Sequence, residues 1–404
     1  MSEKKIAVIS IYPPKATLHG STGSGVWSYT KNLMSNMNEN TRKNTIILTD
    51  YDTEPSSYTE DEMQIERCRR KQWLYRRLSQ IINTLKKYPS IKTDHIHHEF
   101  NMFGWLITIP VFLILLRKLR SYQTIVTYHG VVDTSIIDTA YGKVNVLPWY
   151  FPTLFLRFAF QFFYAATSSQ ITNVIVHEAY FKNVLIRYGY QDKQVHVIYH
   201  GVEDKHLTIS REQARSKLWI SSDKKVLLYF GFLAGYKGVD LLLDTFETMD
   251  KDKYHLILAG GAPKRTLSNP IFRAWYEWIN SRTKNMPWVT RIGFVSDEEI
   301  PLIYSSADVL IMPYLYMLAA SGPMALALSY NLPFLVSESF APVLTDPLMR
   351  FSKTPDGLLS RIQAFFEDSK KIEDTVKVMR SERLRNIISA KTALLYDETL
   401  CEKK

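Results

Sequence analysis

Short apolar runs rich in β-branched residues alternate with longer amphipathic segments along most of this 404-residue chain. This alternation is typical of βαβ units, in which parallel strands form a sheet and helices cover its faces. The runs form two series, so we expect an α/β protein with two doubly wound domains. The predicted strands are 5–11, 45–49, 94–98, 124–128, 173–177 and 195–198, followed by 226–231, 254–260, 289–292, 308–312 and 333–337.

Several features predict a cytoplasmic protein without a spanning helix. The longest apolar stretch, Phe103 to Leu116, is interrupted by Pro110. It is shorter than the roughly 20 residues that a transmembrane helix needs. Residues 1–11 contain too short an apolar run for a signal peptide. The two cysteines form no CxxC motif, so neither a disulfide framework nor a zinc site is expected.

The positive charge is concentrated in the first half of the chain. Residues 1–200 contain 23 Lys and Arg against 15 Asp and Glu, whereas residues 201–404 contain 27 against 25. The densest basic cluster lies at residues 67–92. Charge alone would suit a nucleic-acid binder, but no recognition motif accompanies the cluster, so we expect no nucleic-acid partner.

The basic half also contains segments that suit a membrane surface. Residues 71–88 predict a basic amphipathic helix, and the apolar residues 105–116 and aromatic-rich residues 149–164 follow. One interpretation is attachment to an anionic membrane face, with a lipid-linked substrate. The other is ordinary helices that pack on a sheet and expose solvated basic faces.

Three loops have the residues expected of a phosphate-binding site. Glycine-rich residues 19–26, with Gly23 and Gly25, lie between a predicted strand and helix, where backbone can approach an anion. Lys237 follows another strand and can neutralise a diphosphate. Ser321-Gly322-Pro323 begins a helix, which offers amides to an anion. Each loop also has a plainer interpretation, namely a flexible connection, a solvated lysine or an ordinary N-cap.

Two groups of histidines are candidate functional residues. His129 ends a predicted strand and is either a site residue or a core histidine. His95, His97 and His98 precede Glu99, but alternation along a strand sends His98 to the opposite face from the other two. These side chains do not converge as metal ligands, so no metal site is expected.

In their order and spacing, these segments resemble the retaining glycosyltransferases of family four, which have the GT-B fold. The resemblance runs from about Ile6 to Glu338. It rests on residues 20–25, 98–104, 127–130, 197–202, 231–240, 292–299 and 307–309.

The resemblance implies two Rossmann-like domains that face each other across a cleft. Residues 1–203 would bind a glycan or lipid-linked acceptor, and residues 204–380 would bind the nucleotide sugar. Residues 381–404 would form a helix that packs back on the first domain. The reaction would need no metal and no cofactor besides the nucleotide-sugar substrate. The implied catalytic residues are His129 and Lys237, the donor-binding residues are Gly23, Gly25, Gly231, Lys237, Phe294, Val295, Ser321, Gly322 and Met324, and the acceptor-binding residues are His98 and Glu99.

The chain departs from the family pattern at the donor site. Phe232 replaces an arginine, Leu318 and Leu326 replace two glutamates, and Asn331 replaces a glycine. The second glutamate normally binds the ribose, so ribose recognition must use other residues. The alternative is a non-catalytic GT-B subunit that supports another glycosyltransferase. A nucleotide-sugar epimerase would need acid–base carboxylates near the sugar, and residues 318–324 contain none.

Overall fold

The computed structural model describes residues 4–14, 25–51, 53–70, 74–100, 108–138, 152–205, 209–262, 267–317 and 321–401. It contains an eight-stranded and a six-stranded sheet. The strands are β1 (Ile6–Ile9), β2 (Thr45–Tyr51), β3 (Ser56–Glu60), β4 (Met63–Arg70), β5 (Thr93–His98), β6 (Gln123–Tyr128), β7 (Asn173–Val176), β8 (Val195–Val197), β9 (Lys225–Phe230), β10 (Tyr254–Ala259), β11 (Val289–Ile292), β12 (Val309–Met312), β13 (Phe334–Ser337) and β14 (Arg350–Phe351).

Helices connect these strands and cover both sheets. They are α1 (Gly25–Ser35), α2 (Glu39–Lys43), α3 (Leu74–Leu85), α4 (Thr108–Lys118), α5 (Thr153–Ser168), α6 (Ala179–Arg187), α7 (Arg211–Lys217), α8 (Val239–Thr248), α9 (Pro270–Thr283), α10 (Ile300–Ser306), α11 (Gly322–Ser329), α12 (Pro355–Glu367), α13 (Lys370–Glu382) and α14 (Arg385–Cys401). Among the described residues, no helix is both long and apolar enough to span a membrane.

Both sheets have the strand order of doubly wound domains. The first sheet runs β3-β4-β2-β1-β5-β6-β7-β8, and the second runs β11-β10-β9-β12-β13-β14. All neighbouring strands are parallel except the β3–β4 pair. The order reverses at β1 and at β9, and ligands of such sheets bind beyond the carboxyl ends of the strands at that point. The two-domain α/β prediction and the predicted strands are confirmed.

The hairpin formed by β3 and β4 was not predicted, because its charged residues obscure the alternation of side chains. Met63 and Ile65 are buried, whereas most residues between them and Arg70 are polar. Arg69 is also buried, and its Nε lies 2.9 Å from Asp50 Oδ1. Arg67 donates to the backbone oxygen of Asp50 at 2.9 Å. The basic cluster at 67–92 is therefore not one exposed surface, because Arg67 and Arg69 bind Asp50 and hold β4 against β2.

Helix α3 ends at Leu85, before the predicted residue 88, and packs its apolar face on the first sheet. Leu78, Ile81 and Leu85 are at most 5% exposed. The interpretation of this helix as ordinary core-packing structure is therefore the correct one for its apolar side. Ser79 and Asn83 of this helix are exposed, as are Lys86 and Lys87 just beyond its end.

The chain passes between the two sheets at two places that lie side by side. Val202 and Leu384 form a parallel bridge, flanked by the hydrogen bond from Val202 N to Arg383 O at 2.8 Å. Arg383 Nη1 lies 2.8 Å from Glu178 Oε1, and both side chains are buried. Helix α14 then lies on the first sheet, where the Tyr396 hydroxyl meets His95 Nδ1 at 2.6 Å.

Candidate active site

The loops that follow β9 and β12 touch through their backbones. Gly238 has φ +67, and a Cβ there would lie 1.9 Å from the carbonyl oxygen of Pro313. Any other residue would push the two loops apart, so glycine is required at this position. The amide of Leu315 also donates to Tyr236 O at 2.7 Å. Both loops therefore stand together at the point where the second sheet reverses its strand order.

Lys237 ends a short 3-10 turn in the first of these loops and is only 8% exposed. Its Nζ lies 5.4 Å from the centroid of the Tyr314 ring. Burial lowers the pKa of the Lys237 ammonium group. Within the described parts of the chain, no carboxylate forms an ion pair with it. A buried cation without an anionic partner is stabilised by binding an anion.

Gly231 joins this lysine to the start of helix α11. Gly231 has φ +117, and a Cβ there would lie 2.9 Å from Lys237 Nζ and 3.3 Å from Pro323 Cγ. The two atoms flank Gly231 and are at most about 6 Å apart. The structure thus brings Gly231, Lys237 and the helix start around one small space.

Helix α11 begins with a side-chain cap. Ser321 Oγ accepts from Met324 N at 3.4 Å, and Ala325 N donates to Ser321 O at 3.0 Å. Pro323 has no amide hydrogen, so Gly322 has the first amide that could face an anion. The helix dipole adds partial positive charge at this end. The Met324 amide already donates to Ser321 Oγ, and the Met324 side chain is buried. Met324 therefore stabilises the turn and does not contact a ligand directly.

The loop after β11 extends the same edge of the sheet. A Cβ on Gly260 would lie 1.9 Å from Gly231 O, and one on Gly261 would lie 3.5 Å from Phe294 N. Phe294 is 54% exposed, and Val295 is half-buried. The glycines allow these loops to approach closely, and Phe294 offers an aromatic face on which a base can stack.

A second candidate site, in the first domain, is built around His129, which directly follows β6. Its ring is 9% exposed and lies 4.7 Å from the ring of Tyr29 on helix α1. His97 and His177 lie 5.3 and 5.2 Å away, between ring centroids. Burial lowers the pKa of His129 well below its usual value, and neighbouring imidazoles add to this. His129 is therefore neutral at physiological pH.

The hydrogen bonds determine which nitrogen of His129 has the proton. His177 Nδ1 lies 2.9 Å from the carbonyl oxygen of Ile198, which can only accept, so this nitrogen is protonated. A neutral His177 then accepts at Nε2 from His129 Nδ1, at 3.4 Å. His129 Nε2 is left with a lone pair and has no partner among the described residues. This atom is buried, so a ligand hydroxyl could bind it only after neighbouring groups move.

The two predicted acceptor-binding residues lie in different environments. His98 is fully buried, with the rings of Phe112 and Phe163 4.6 and 5.3 Å away. An acceptor cannot reach it without displacing these side chains, so its placement does not support that role. Glu99 is half-buried, and its charge is among those that, with burial as the main cause, raise the pKa of Tyr236. Glu99 therefore lies near Tyr236 of the second domain.

Some predicted positions lie outside the described residues, namely Gly23 and Leu318. Gly25 begins helix α1, whose Tyr29 contacts His129. Helix α1, which follows the glycine-rich segment in sequence, thus contributes to the histidine site. In the parts of the chain that the structure describes, no group of three or more His, Cys, Asp or Glu side chains could hold a metal ion.

His177 and Tyr29 were missed as site residues. His177 directly follows β7, as His129 follows the neighbouring β6, and adjacent parallel strands end at the same edge. That rule could have paired the two histidines from sequence. Tyr29 had no such signal, because its position depends on how helix α1 packs across the strand ends.

Two family sequence models match the two halves of the chain. The model described as Glycosyltransferase Family 4 matches residues 23–206, and the model described as Glycosyl transferases group 1 matches residues 224–367. Mannosylfructose-phosphate synthase of Agrobacterium fabrum is 28% identical over 149 residues, which cover 33% of this chain and 31% of that protein. The match thus spans about a third of that relative's length.

Solved structures resemble the whole chain. Sucrose-phosphate synthase from Thermosynechococcus elongatus has a TM-score of 0.73 at 18% identity and covers 98% of both chains. Anabaena HepE in complex with UDP-glucose has a TM-score of 0.69 at 15% identity, over 98% of this chain and 99% of that one. At these identities the likeness is one of fold, and that fold is the two-domain GT-B fold. Together with the two matching models, it makes this chain a glycosyltransferase family 4-like protein.

Proposed function

We propose that the protein is a retaining, metal-independent hexosyltransferase that uses a nucleoside diphosphate sugar. The observation that carries this proposal is the buried, uncompensated ammonium group of Lys237 beside the start of helix α11. A diphosphate between them would gain a charge-assisted hydrogen bond and the favourable end of a helix dipole. Such a site fits the leaving group of a sugar transfer.

The chemistry follows from where negative charge develops. As the bond between the sugar C1 and the phosphate oxygen breaks, the diphosphate gains charge that Lys237 and the Gly322 amide stabilise. The acceptor oxygen forms the new bond to C1 on the same face, and its proton passes to the departing phosphate oxygen. The free lone pair of His129 Nε2 would accept from a hydroxyl of the transferred sugar and hold it in place.

The donor to test first is UDP-glucose, because the Anabaena relative of the same fold was solved with it. Phe294 and Val295 would contact the base. The acceptor would enter from the first domain near Glu99 and be a glycan or a lipid-linked sugar. We propose a cytoplasmic protein with peripheral attachment to an anionic membrane face, in line with the positive charge of residues 1–200.

A second candidate is a non-catalytic subunit of another glycosyltransferase. Leu326 favours it, because this half-buried apolar side chain stands where a ribose-binding carboxylate would be expected. Both candidates keep the GT-B fold, so turnover must decide between them.

The deciding experiment incubates the protein with UDP-, GDP- and ADP-sugars and measures released nucleoside diphosphate, with and without glycan acceptors. Release from one donor, lost in Lys237→Met and kept in Lys371→Met, supports the transferase. Lys371 is an exposed lysine on helix α13 and serves as the matched control. Stable binding of a nucleotide without any turnover would favour the non-catalytic subunit.

A further inference from the structure

Helix α5 exposes a row of large apolar side chains. Leu154, Phe155, Phe158 and Phe162 are 74%, 52%, 65% and 49% exposed. Their spacing places them on one side of the helix. The rings of Phe158 and Phe162 lie 6.2 Å apart and nearly parallel. We call these four residues the phenylalanine ridge. An apolar group of this size on a surface marks a contact site.

The opposite face of the helix is fixed in the core. Leu156, Phe160 and Phe163 are at most 3% exposed, and the Phe163 ring packs on His98. The helix therefore cannot rotate to hide the ridge without removing these side chains from the core. Exposure of the ridge is a consequence of the fold.

The surroundings of the ridge are basic and poor in acidic residues. Helix α4 packs beside α5, exposes Ile114 and ends in the exposed residues Arg117 and Lys118, with Arg120 just beyond. The sequence has no Asp or Glu at 100–132 or at 139–177. Two acidic residues lie between these stretches: Asp133 is buried and bound to Arg187, and the exposed Asp138 accepts a hydrogen bond from Tyr316. A partner that binds the ridge must therefore combine an apolar region with adjacent negative charge.

The helix that bears the ridge is linked to the contact between the two domains. Arg157 of α5 donates through Nε to Ile137 O at 2.9 Å. The next residue, Asp138, accepts from the hydroxyl of Tyr316 in the second domain at 3.4 Å. A partner at the ridge would thus be close to the mouth between the domains.

We propose that the phenylalanine ridge inserts into the interface of an anionic lipid bilayer, while Arg117, Lys118 and Arg120 contact lipid phosphates. Acyl chains would cover the exposed apolar side chains, and anionic headgroups would pair with the basic residues. A symmetric contact with a second copy would bring two basic flanks together, which opposes it. This proposal rests on the peripheral membrane attachment in the proposed function and names the surface that makes it. A lipid-linked acceptor would come from the same membrane.

The test is co-sedimentation of the full chain with vesicles of phosphatidylcholine containing 30% phosphatidylglycerol, compared with pure phosphatidylcholine. We expect binding to the anionic vesicles that 0.5 M salt weakens. The double variant Phe158→Ser/Phe162→Ser should bind at least tenfold less. Trp219→Ser, which changes a 94% exposed side chain in the other domain, is the matched control and should bind as the unchanged protein does.

Equal binding by the double variant and the unchanged protein would overturn the proposal, as would indifference to lipid charge. If the unchanged protein is a dimer in solution and the double variant is a monomer, the ridge binds a second copy of the chain instead. The thermal shift with nucleoside diphosphates should be the same for the double variant and the unchanged protein. Failure of that shift in the unchanged protein concerns the donor site and leaves the vesicle result intact.

Discussion

The ammonium group of Lys237 lies so close to Gly231 that a Cβ on this glycine would stand 2.9 Å from Nζ. The same Cβ would meet Pro323 Cγ at 3.3 Å and require an unusual φ of +117. The hydrogen atom of Gly231 thus leaves open the space between the lysine and the start of helix α11. This space is where the proposed diphosphate would bind.

Gly231→Ala should therefore displace the lysine and weaken donor binding. We expect the KM for the nucleotide sugar to rise at least tenfold, with a loss of about 1 kcal/mol in unfolding free energy from the positive φ. Steady-state kinetics and chemical denaturation measure the two effects.

The control for this variant is Gly189→Ala. Gly189 also has a positive φ of +103, but its Cβ would meet only Ser168 Oγ at an ordinary 3.6 Å. It should lose similar stability and keep its KM. An unchanged KM in Gly231→Ala would show that the space beside Lys237 is not used by the donor.

The buried histidines should make the protein sensitive to mild acid. Burial lowers the pKa of His95, His98 and His200 to about 3 and that of His177 to about 4. In the unfolded chain these groups titrate near 6.5, so that state binds more protons below this pH. Stability should therefore fall as the pH drops from about 6.5 towards 4.

Denaturation at pH 6.5 and 5.5 tests this sign. In His98→Phe one of these groups is absent, so the loss between the two pH values should be smaller by about 1 kcal/mol. His98 is the suitable site because aromatic rings surround it. A loss of the same size in both proteins would mean that His98 is not held neutral by the fold.

The proton positions predicted for the histidine pair can be tested at His177. His177→Phe removes the acceptor that keeps the proton on His129 Nδ1. We expect kcat to fall about tenfold while the thermal shift with nucleoside diphosphate stays unchanged, because the diphosphate is bound in the other domain. His177→Gln keeps an acceptor and should retain more activity. Equal loss in both variants would argue against control of the tautomer.

The buried ion pair between Glu178 and Arg383 should stabilise the junction of the two domains. Glu178→Gln leaves the guanidinium group buried without its charge partner, which should cost about 3 kcal/mol of unfolding free energy. The exposed pair of Asp374 and Lys377, 3.2 Å apart, is the control, and Asp374→Asn should change stability by less than about 0.5 kcal/mol. Similar losses of unfolding free energy in the two variants would contradict a stabilising role for the buried pair at the domain junction.

Parallel strands such as β1, β9 and β12 were predicted well because each is an almost continuous apolar run and is mostly buried. The hairpin at Ser56–Glu60 and Met63–Arg70 escaped because five of its thirteen residues are charged, and some of these pair with residues outside the hairpin, as Glu60 does with Lys31. Arg69 is an example, because nothing in the neighbouring sequence indicates that it is buried and paired with Asp50.

The site was predictable where a backbone requirement leaves a mark in the sequence. Gly231, Gly238 and Lys237 lie in one loop, and the structure gives each a geometric reason. Side-chain burial left no such mark. His98 was predicted to bind an acceptor but packs among aromatic rings, and the sequence left open whether the aromatic residues at 149–164 pack on the sheet or meet a membrane. Which face of an apolar helix is buried depends on its neighbours in space.

The most direct measurement is the thermal shift of the unchanged protein and of Lys237→Met with UDP, GDP, ADP, CDP and dTDP. We predict that one diphosphate stabilises the unchanged protein, while Lys237→Met unfolds at the same or a higher temperature without ligand and shows no shift. The variant should fold well because it removes a buried, uncompensated charge. An equal shift in both proteins, or none in either, would contradict a diphosphate site at Lys237.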